Sequence, residues 1–201
     1  MKILILTPFK TASHTLLELL NIKLNFATLR THGYLENQEF SPNQVTHIIT
    51  LDREDSELWM LSRMFQDIDQ LKYYPYAFSN NPQDVLNATP QEILNKFDSF
   101  DWLPYKNDPY YFETIQKEFG IVLEKGCYGI FTNENTGQKV YYMSVEKFDS
   151  ELVQFAQFLG ISHATLQENL IHKNTADEKW YSSKYLETKK LLLERRNKKE
   201  N

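Results

Sequence analysis

The residues of this chain that could do chemistry form three polar groups in its first third. The first extends from Lys10 to Thr15, between the apolar run Ile3 to Leu6 and a stripe of leucines at helical spacing. The second is His32 and the third is Arg53, and each follows a run that predicts a β-strand. Cations, hydroxyls and an imidazole at strand ends are suited to binding an anion and moving a proton.

The segment after the first strand predicts an anion site. A helix that begins just beyond the carboxyl end of a strand points unpaired N–H groups and the positive end of its dipole into the crevice there. Lys10 adds a cation and the neighbouring hydroxyls add donors, so the expected ligand is a phosphate or sulfate group of a nucleotide. A second interpretation is that Thr11, Ser13 or Thr15 only caps the helix. Thr15 with Glu18 fits a capping box. The segment contains no glycine and is therefore not a Walker A loop.

His32 and Arg53 each have a functional and a structural interpretation. His32 would stand at a strand end, where open α/β sheets bind their ligands, and an imidazole near neutral pH is a candidate general base. A lone histidine is more often structural or simply exposed. Arg53 could bind a phosphate through two parallel hydrogen bonds, or it could pair with the neighbouring acids.

The elements that must position these groups alternate between strands and helices. Apolar runs predict strands at Ile3 to Leu6, Asn25 to Leu29 and Val45 to Leu51, with a helix after the first and another after the third. Asp55 or Ser56 is the predicted N-cap of the latter helix. This order predicts an α/β core built on a parallel sheet.

The second half of the chain predicts a small β-hairpin and several helices. The hairpin strands are Cys127 to Phe131 and Lys139 to Val145. The predicted helices are Pro109 to Phe119, Asp149 to Leu159, His163 to Leu170 and a last one through Tyr185 and Leu192.

Residues 73–111 differ from the rest, because they hold five of the seven prolines and many aromatic side chains. Helices are predicted near Asn81 and Thr89, the second with a capping box between Thr89 and Glu92. The aromatic residues could line a groove for a sugar or could cover the core. They are Tyr73, Tyr74, Tyr76, Trp102, Tyr105, Tyr110 and Tyr111.

Composition narrows the class of protein. A length of 201 residues suits one medium domain, and a net charge of −5 speaks against a surface that binds nucleic acid throughout. One cysteine, Cys127, excludes an internal disulfide framework and a cysteine zinc cluster. We see no secretory signal and no stretch of about 18 apolar residues, so a soluble cytoplasmic protein is expected.

Taken in order, the polar groups resemble those of one family. Residues 7–15, TPFKTASHT, resemble the 5′-phosphosulfate loop of sulfotransferases that use 3′-phosphoadenosine-5′-phosphosulfate (PAPS). Residues 30–32 are similar to the Lys/Arg-Thr-His that carries that family's catalytic histidine, and Arg53 followed by Ser62 is similar to its 3′-phosphate pair. Residues 177–182, DEKWYS, resemble the Asn-Lys-Trp-Tyr-Ser signature of sulfotransferase-like bacterial capsular polysaccharide synthesis proteins.

The resemblance implies a P-loop-like, sulfotransferase-like fold and an enzyme that moves a sulfuryl group from PAPS to a hydroxyl acceptor. It favours a carbohydrate or polysaccharide as acceptor and PAP as product, and it requires no metal. It implies a single domain over 1–201, with 73–111 as an insertion on the acceptor side. Lys10 and His32 would be catalytic, with Glu36 as a fallback base. The donor-binding residues would be Lys10, Thr11, Ala12, Ser13, His14, Thr15, Arg53, Ser62 and Lys173.

The chain departs from the family pattern in ways that leave alternatives open. Phe9 is an extra residue in the loop, and Ser62 comes one residue late, so Ser56 competes for the 3′-phosphate. One alternative is a small-molecule kinase using ATP and magnesium, with Asp52 at a strand end as the metal ligand. The other is a protein that binds a nucleotide without catalysis, because fold alone does not prove activity.

Overall fold

Apolar runs form the five strands of one sheet in the computed structural model. The model describes residues 1–7, 13–31, 41–55, 57, 58, 60–62, 65, 84, 87–99, 110–170 and 182–199. The strands are β1 Lys2–Leu6, β2 Ala27–Thr31, β3 His47–Asp52, β4 Gly129–Thr132 and β5 Lys139–Ser144. Their order across the sheet is β2-β1-β3-β5-β4.

The sheet is mixed, and the protein is therefore of the α/β class. β1 pairs in parallel with β2 and β3, and β3 pairs in parallel with β5, whereas β4 is antiparallel to β5. The predicted hairpin is confirmed as β4 and β5. Because β5 also pairs with β3, the hairpin extends the main sheet, and the predicted all-parallel core gains one antiparallel edge strand.

The described helices are close to those predicted. They are α1 Ser13–Leu17, continued by π-helical Glu18–Lys23, α2 Pro90–Ser99, α3 Tyr110–Phe119, α4 Leu152–Leu159, α5 His163–Asn169 and α6 Ser182–Lys199, with 3₁₀ turns at Pro42–Gln44 and Val145–Glu151. Gly160 ends α4 in the left-handed conformation, which glycine adopts without strain. Among the helices described, none is both long and apolar enough to cross a membrane.

Two local predictions near the amino terminus are wrong. Thr15 lies inside α1 and so cannot be its N-cap, which removes the capping box with Glu18. β2 begins two residues later than predicted, because the Phe26 N–H still bonds to the Leu20 carbonyl and Asn25 reverses the chain with φ 54°.

The chain forms two compact units, and the sheet belongs to the first, Met1–Glu54 with Asp108–Lys173. Alternating residues of each strand cover the two faces of the sheet. Ile3, Ile5 and Ile49 share a buried cluster with α1, α4 and α5. Leu4 and Ile48 share another with α3. One predicted groove residue, Tyr111, lies in that second cluster, 1% exposed, so this ring covers the core.

The second unit comprises Asp55–Asn107 and Asn174–Asn201. In it α2 packs against α6 through a cluster that includes Ile93, Phe97 and Leu192. The capping box predicted at the start of α2 is confirmed, because the Thr89 N–H donates to Glu92 at 2.6 Å and the Glu92 N–H to the Thr89 hydroxyl at 3.3 Å. The single-domain organisation over 1–201 stays a prediction.

Asp55 is confirmed as an N-cap in the same unit. Its Oδ1 accepts a hydrogen bond from the Leu58 N–H at 2.9 Å. The Arg196 guanidinium, from α6, donates to both Asp55 oxygens at 2.6 and 2.8 Å and to Glu57 at 2.6 Å. The cap and the last helix of this unit are thereby joined.

Candidate functional site

The carboxyl ends of the parallel strands bring several polar residues to one edge of the sheet. Leu6 at the end of β1 pairs with Thr31 at the end of β2, and the Thr7 N–H donates to the Thr31 carbonyl at 3.4 Å. Asp52 at the end of β3 pairs with Ser144 at the end of β5. Ligand sites of open α/β sheets lie at this edge, and we call it the carboxyl edge.

Part of the predicted phosphosulfate loop lies at the start of α1. Ser13 is the first described residue of this helix, with its side chain 4% exposed. His14 is exposed and Thr15 is half-buried. Lys10, Thr11 and Ala12 lie outside the described residues, as do His32, Glu36, Ser56 and Lys173.

Arg53 stands directly after β3 and is paired with an acid. Its Nη1 lies 3.3 Å from Oε1 of Glu146, and the side chain is 32% exposed. The second Glu146 oxygen accepts from the Glu54 N–H at 3.2 Å and from the Ser144 hydroxyl at 2.9 Å. One acid that pairs with Arg53 thus comes from the turn after β5, and the predicted pairing with neighbouring acids along the chain stays a prediction.

Ser62 belongs to the second unit, whereas Arg53 belongs to the first. Ser62 is half-buried in a helical segment. Because the two residues belong to different units, their pairing around a 3′-phosphate stays a prediction.

Asp52 is the most enclosed acid of the carboxyl edge. Its Oδ1 accepts from the Arg53 N–H at 2.7 Å and its Oδ2 from the Tyr142 hydroxyl at 3.0 Å. Burial raises the pKa of Asp52 above its ordinary value, and the two hydrogen bonds oppose that rise. The Tyr142 hydroxyl in turn accepts a hydrogen bond from the Gly126 N–H at 3.2 Å. Both oxygens of Asp52 therefore have a donor, and one of these donors is itself fixed by the backbone.

Other charges surround the same corner. Lys147 Nζ lies 2.7 Å from Glu54 and 5.2 Å from the centre of the Tyr128 ring. Burial, with the Asp52 and Glu54 charges, raises the pKa of Tyr128 to about 12, so its phenol is neutral. Sequence reasoning missed Tyr142, Glu146 and Lys147, although the polar residues that follow the apolar run of β5 are the same signal that identified Arg53 after β3.

The described residues contain no group of three histidines, cysteines or acids placed to hold a metal ion. Comparisons of the chain with family models, with curated proteins and with solved structures gave no significant match.

Proposed function

We propose that this protein transfers a sulfuryl group from PAPS to a hydroxyl acceptor, with a carbohydrate or polysaccharide as the favoured acceptor. One observation carries the proposal. The strands that precede the three predicted polar groups are β1, β2 and β3, which are adjacent and parallel, and their carboxyl ends lie at one edge of the sheet. The strands that lead to the three predicted polar groups thus end on one side of one sheet.

The residues of the carboxyl edge partly fit a donor that carries two anionic groups. α1 is the next described element after β1 along the chain, and its first residue, Ser13, is buried, which suits a phosphosulfate next to the helix. Lys10 would neutralise the bridging and leaving-group oxygens, and residues 11–15 would hold the rest of that group. Arg53 would hold the 3′-phosphate, with Ser62 or Ser56 and with Lys173 as further contacts.

Charge around Arg53 places a condition on this role. Arg53 follows Asp52, pairs with Glu146, and lies beside Glu54, which pairs with Lys147, so acids compete for this guanidinium. A phosphate bound by Arg53 has to share its guanidinium with Glu146 or displace it. Neutralising Glu146 should therefore strengthen donor binding if the assignment is right.

In the proposed reaction the acceptor hydroxyl attacks sulfur in line while PAP departs. His32 takes the proton of that hydroxyl, with Glu36 as the alternative base. The S–O bond to the acceptor forms as the S–O bond to PAP breaks. Because charge is spread over the oxygens of the transferring group, positioning and electrostatic stabilisation supply most of the rate. We place the reaction in the cytoplasm, and this location stays a prediction.

The competing kinase function is favoured by one feature, namely an acid at the end of the strand beside β1. Asp52 has that position, but both of its oxygens already accept hydrogen bonds from Arg53 and Tyr142. Burial also raises the pKa of Asp52, which disfavours the ionised carboxylate that magnesium binds, and the segment after β1 is not a Walker A loop. We therefore prefer the sulfotransferase.

Thermal unfolding with PAP, ADP or ATP with magnesium tests the choice. A nucleotide at 100 times its Kd should stabilise the protein by about 2.7 kcal/mol. We expect PAP to stabilise it most, without magnesium. Stabilisation by magnesium and ATP alone would favour the kinase, and PAP binding with no transfer to any acceptor would favour a non-catalytic protein.

A further inference from the structure

Arg30 lies near the carboxyl edge, and it is not one of the residues proposed above to bind the donor. It is the fourth residue of β2 and pairs in register with Ile5 of β1. Paired residues of adjacent strands project to the same face of a sheet, so the Arg30 side chain shares the face of Ile5 and of α1.

One nitrogen of the Arg30 guanidinium lacks an acceptor among the described residues. This Nη1 is buried and makes no hydrogen bond within the part of the chain that the structure describes. The residue as a whole is half-buried, so other atoms of Arg30 reach solvent. Buried N–H groups of arginine are normally paired, and an unpaired one destabilises the folded protein. A group of this kind suggests a ligand that is bound during function.

The position of β2 indicates which ligand. β2 is an edge strand, next to β1 and separated by β1 from β3. Adjacent strands are about 4.8 Å apart, so β2, which carries Arg30, lies roughly 10 Å from β3, the strand that leads to Arg53. The donor anions are assigned to the loop after β1 and to the end of β3, which leaves the outer side of β2 to the acceptor. Arg30 also comes two residues before the proposed base, His32.

We propose that Arg30 anchors a subsite for an oxoanion of the acceptor, and that the acceptor is an acidic saccharide carrying a carboxylate or a sulfate. The assignment to the acceptor depends on the proposed sulfotransferase function, whereas the anion site itself does not. A guanidinium binds both oxoanions through two parallel hydrogen bonds.

Binding of small probes tests the subsite. Thermal shifts and calorimetry with sulfate, glucuronate and glucose should show stabilisation by the two anions and none by the neutral sugar. Arg30→Met should weaken anion binding by roughly 10- to 100-fold, the loss expected for a charge-assisted hydrogen bond. Arg30→Lys keeps the charge and should retain part of the affinity. Equal binding by glucose, or unchanged anion binding in Arg30→Met, would overturn the subsite.

Binding measurements with saturating PAP show whether Arg30 belongs to the acceptor site or to the donor site. If PAP binds and glucuronate then adds a further shift, the subsite is separate and serves the acceptor. If PAP abolishes the Arg30-dependent shift, Arg30 belongs to the donor site and the acceptor assignment is wrong. If PAP does not bind while the anions still do, the proposed function fails and the anion site survives.

Stability without ligand gives a second measurement. Because the Arg30 Nη1 is unpaired, Arg30→Met should raise the Tm by about 2–4 °C, the shift of a roughly 1 kcal/mol gain in a chain of this size. Arg196→Met, which removes a paired guanidinium, should lower the Tm and is the matched control. A lowered Tm in Arg30→Met would mean that this arginine is structural, which contradicts the proposal.

Discussion

Charged side chains differ in their hydrogen-bond partners between the second unit and the carboxyl edge of the sheet. In the second unit Arg196 holds Asp55 and Glu57 through three hydrogen bonds, and the start of α2 has a complete capping box. At the carboxyl edge Arg53 has a 3.3 Å contact with Glu146, burial raises the pKa of Asp52, and the buried Nη1 of Arg30 has no acceptor in the described part of the chain.

The difference separates side chains that folding explains from side chains that it does not. The polar groups of the second unit fix helix ends and join helices, so their partners account for them. At the carboxyl edge a part-buried acid with a raised pKa, and an arginine whose buried Nη1 has no acceptor among the described residues, destabilise the folded state. Such costs are typical of functional sites. The candidate chemistry therefore belongs to the edge of the sheet.

The largest effects should come from the two proposed catalytic residues at this edge. Lys10→Ala or His32→Ala should reduce turnover of PAPS by about 100-fold or more, because each removes a group that acts in the transition state. Lys23→Ala, at the exposed far end of the first helical segment, and His163→Ala are matched controls and should retain activity. Near-wild-type turnover in both active-site variants would remove their assigned roles.

Donor binding should respond next. Arg53→Ala should weaken PAP binding by about 1.5 to 3 kcal/mol, measured by calorimetry, because it removes a charge-assisted hydrogen bond. Glu146→Gln should instead strengthen it, since the competing negative charge is gone while hydrogen bonding remains possible. If neither substitution changes the affinity, the Arg53–Glu146 pair is only structural.

A smaller effect should appear in the stability of the second unit. Arg196→Met should lower the free energy of unfolding by about 1–2 kcal/mol at pH 7, measured in urea. Hydrogen bonding to Arg196 lowers the pKa of Asp55, so this contribution is present above the unfolded-state pKa of about 3.9 and is lost as pH falls through the lower folded value. The variant should therefore approach the wild type in acid.

Arg195→Met is the control for that comparison, because Arg195 pairs with one acid, Asp98. Its loss should be smaller than that of Arg196→Met. An equal loss would mean that the hydrogen bonds of Arg196 to Asp55 and Glu57 add nothing beyond an exposed ion pair.

The smallest expected effect is a gain in stability. Burial raises the pKa of Asp52, so the folded protein holds this proton more tightly than the unfolded chain, and stability falls as pH rises from about 3.9 through the raised value. Asp52→Asn removes that cost and should stabilise the protein by about 0.5–1 kcal/mol at pH 7 but not below pH ~4. A loss at pH 7 would show that the ionised carboxylate is favourable, as a metal ligand or ion-pair partner.

The sequence predicted the local elements better than the pairing between distant ones. Apolar runs gave β1, β3 and the hairpin, and Gly160 and Thr89 marked helix ends, because these signals act over a few residues. The place of β5 beside β3 depends on residues about 90 positions apart, which no local pattern encodes. β2 was placed two residues early because the turn at Asn25 depends on a hydrogen bond back to the first helix.

The same limit applies to the candidate site. Polar residues at strand ends could be found from the sequence, since the end of an apolar run marks them. Their partners could not, because the pairing of Arg53 with Glu146 and of Asp52 with Tyr142 follows from the order of strands in the sheet. That the Arg30 Nη1 has no acceptor among the described residues is likewise a property of packing.

A crystal structure with PAP bound tests the central claim most directly. We predict that its 5′-phosphate lies against residues 10–15 at the start of the first helix and that its 3′-phosphate contacts Arg53. PAP bound away from the carboxyl edge, or no bound PAP at a concentration that saturates PAPS-dependent sulfotransferases, would contradict the account.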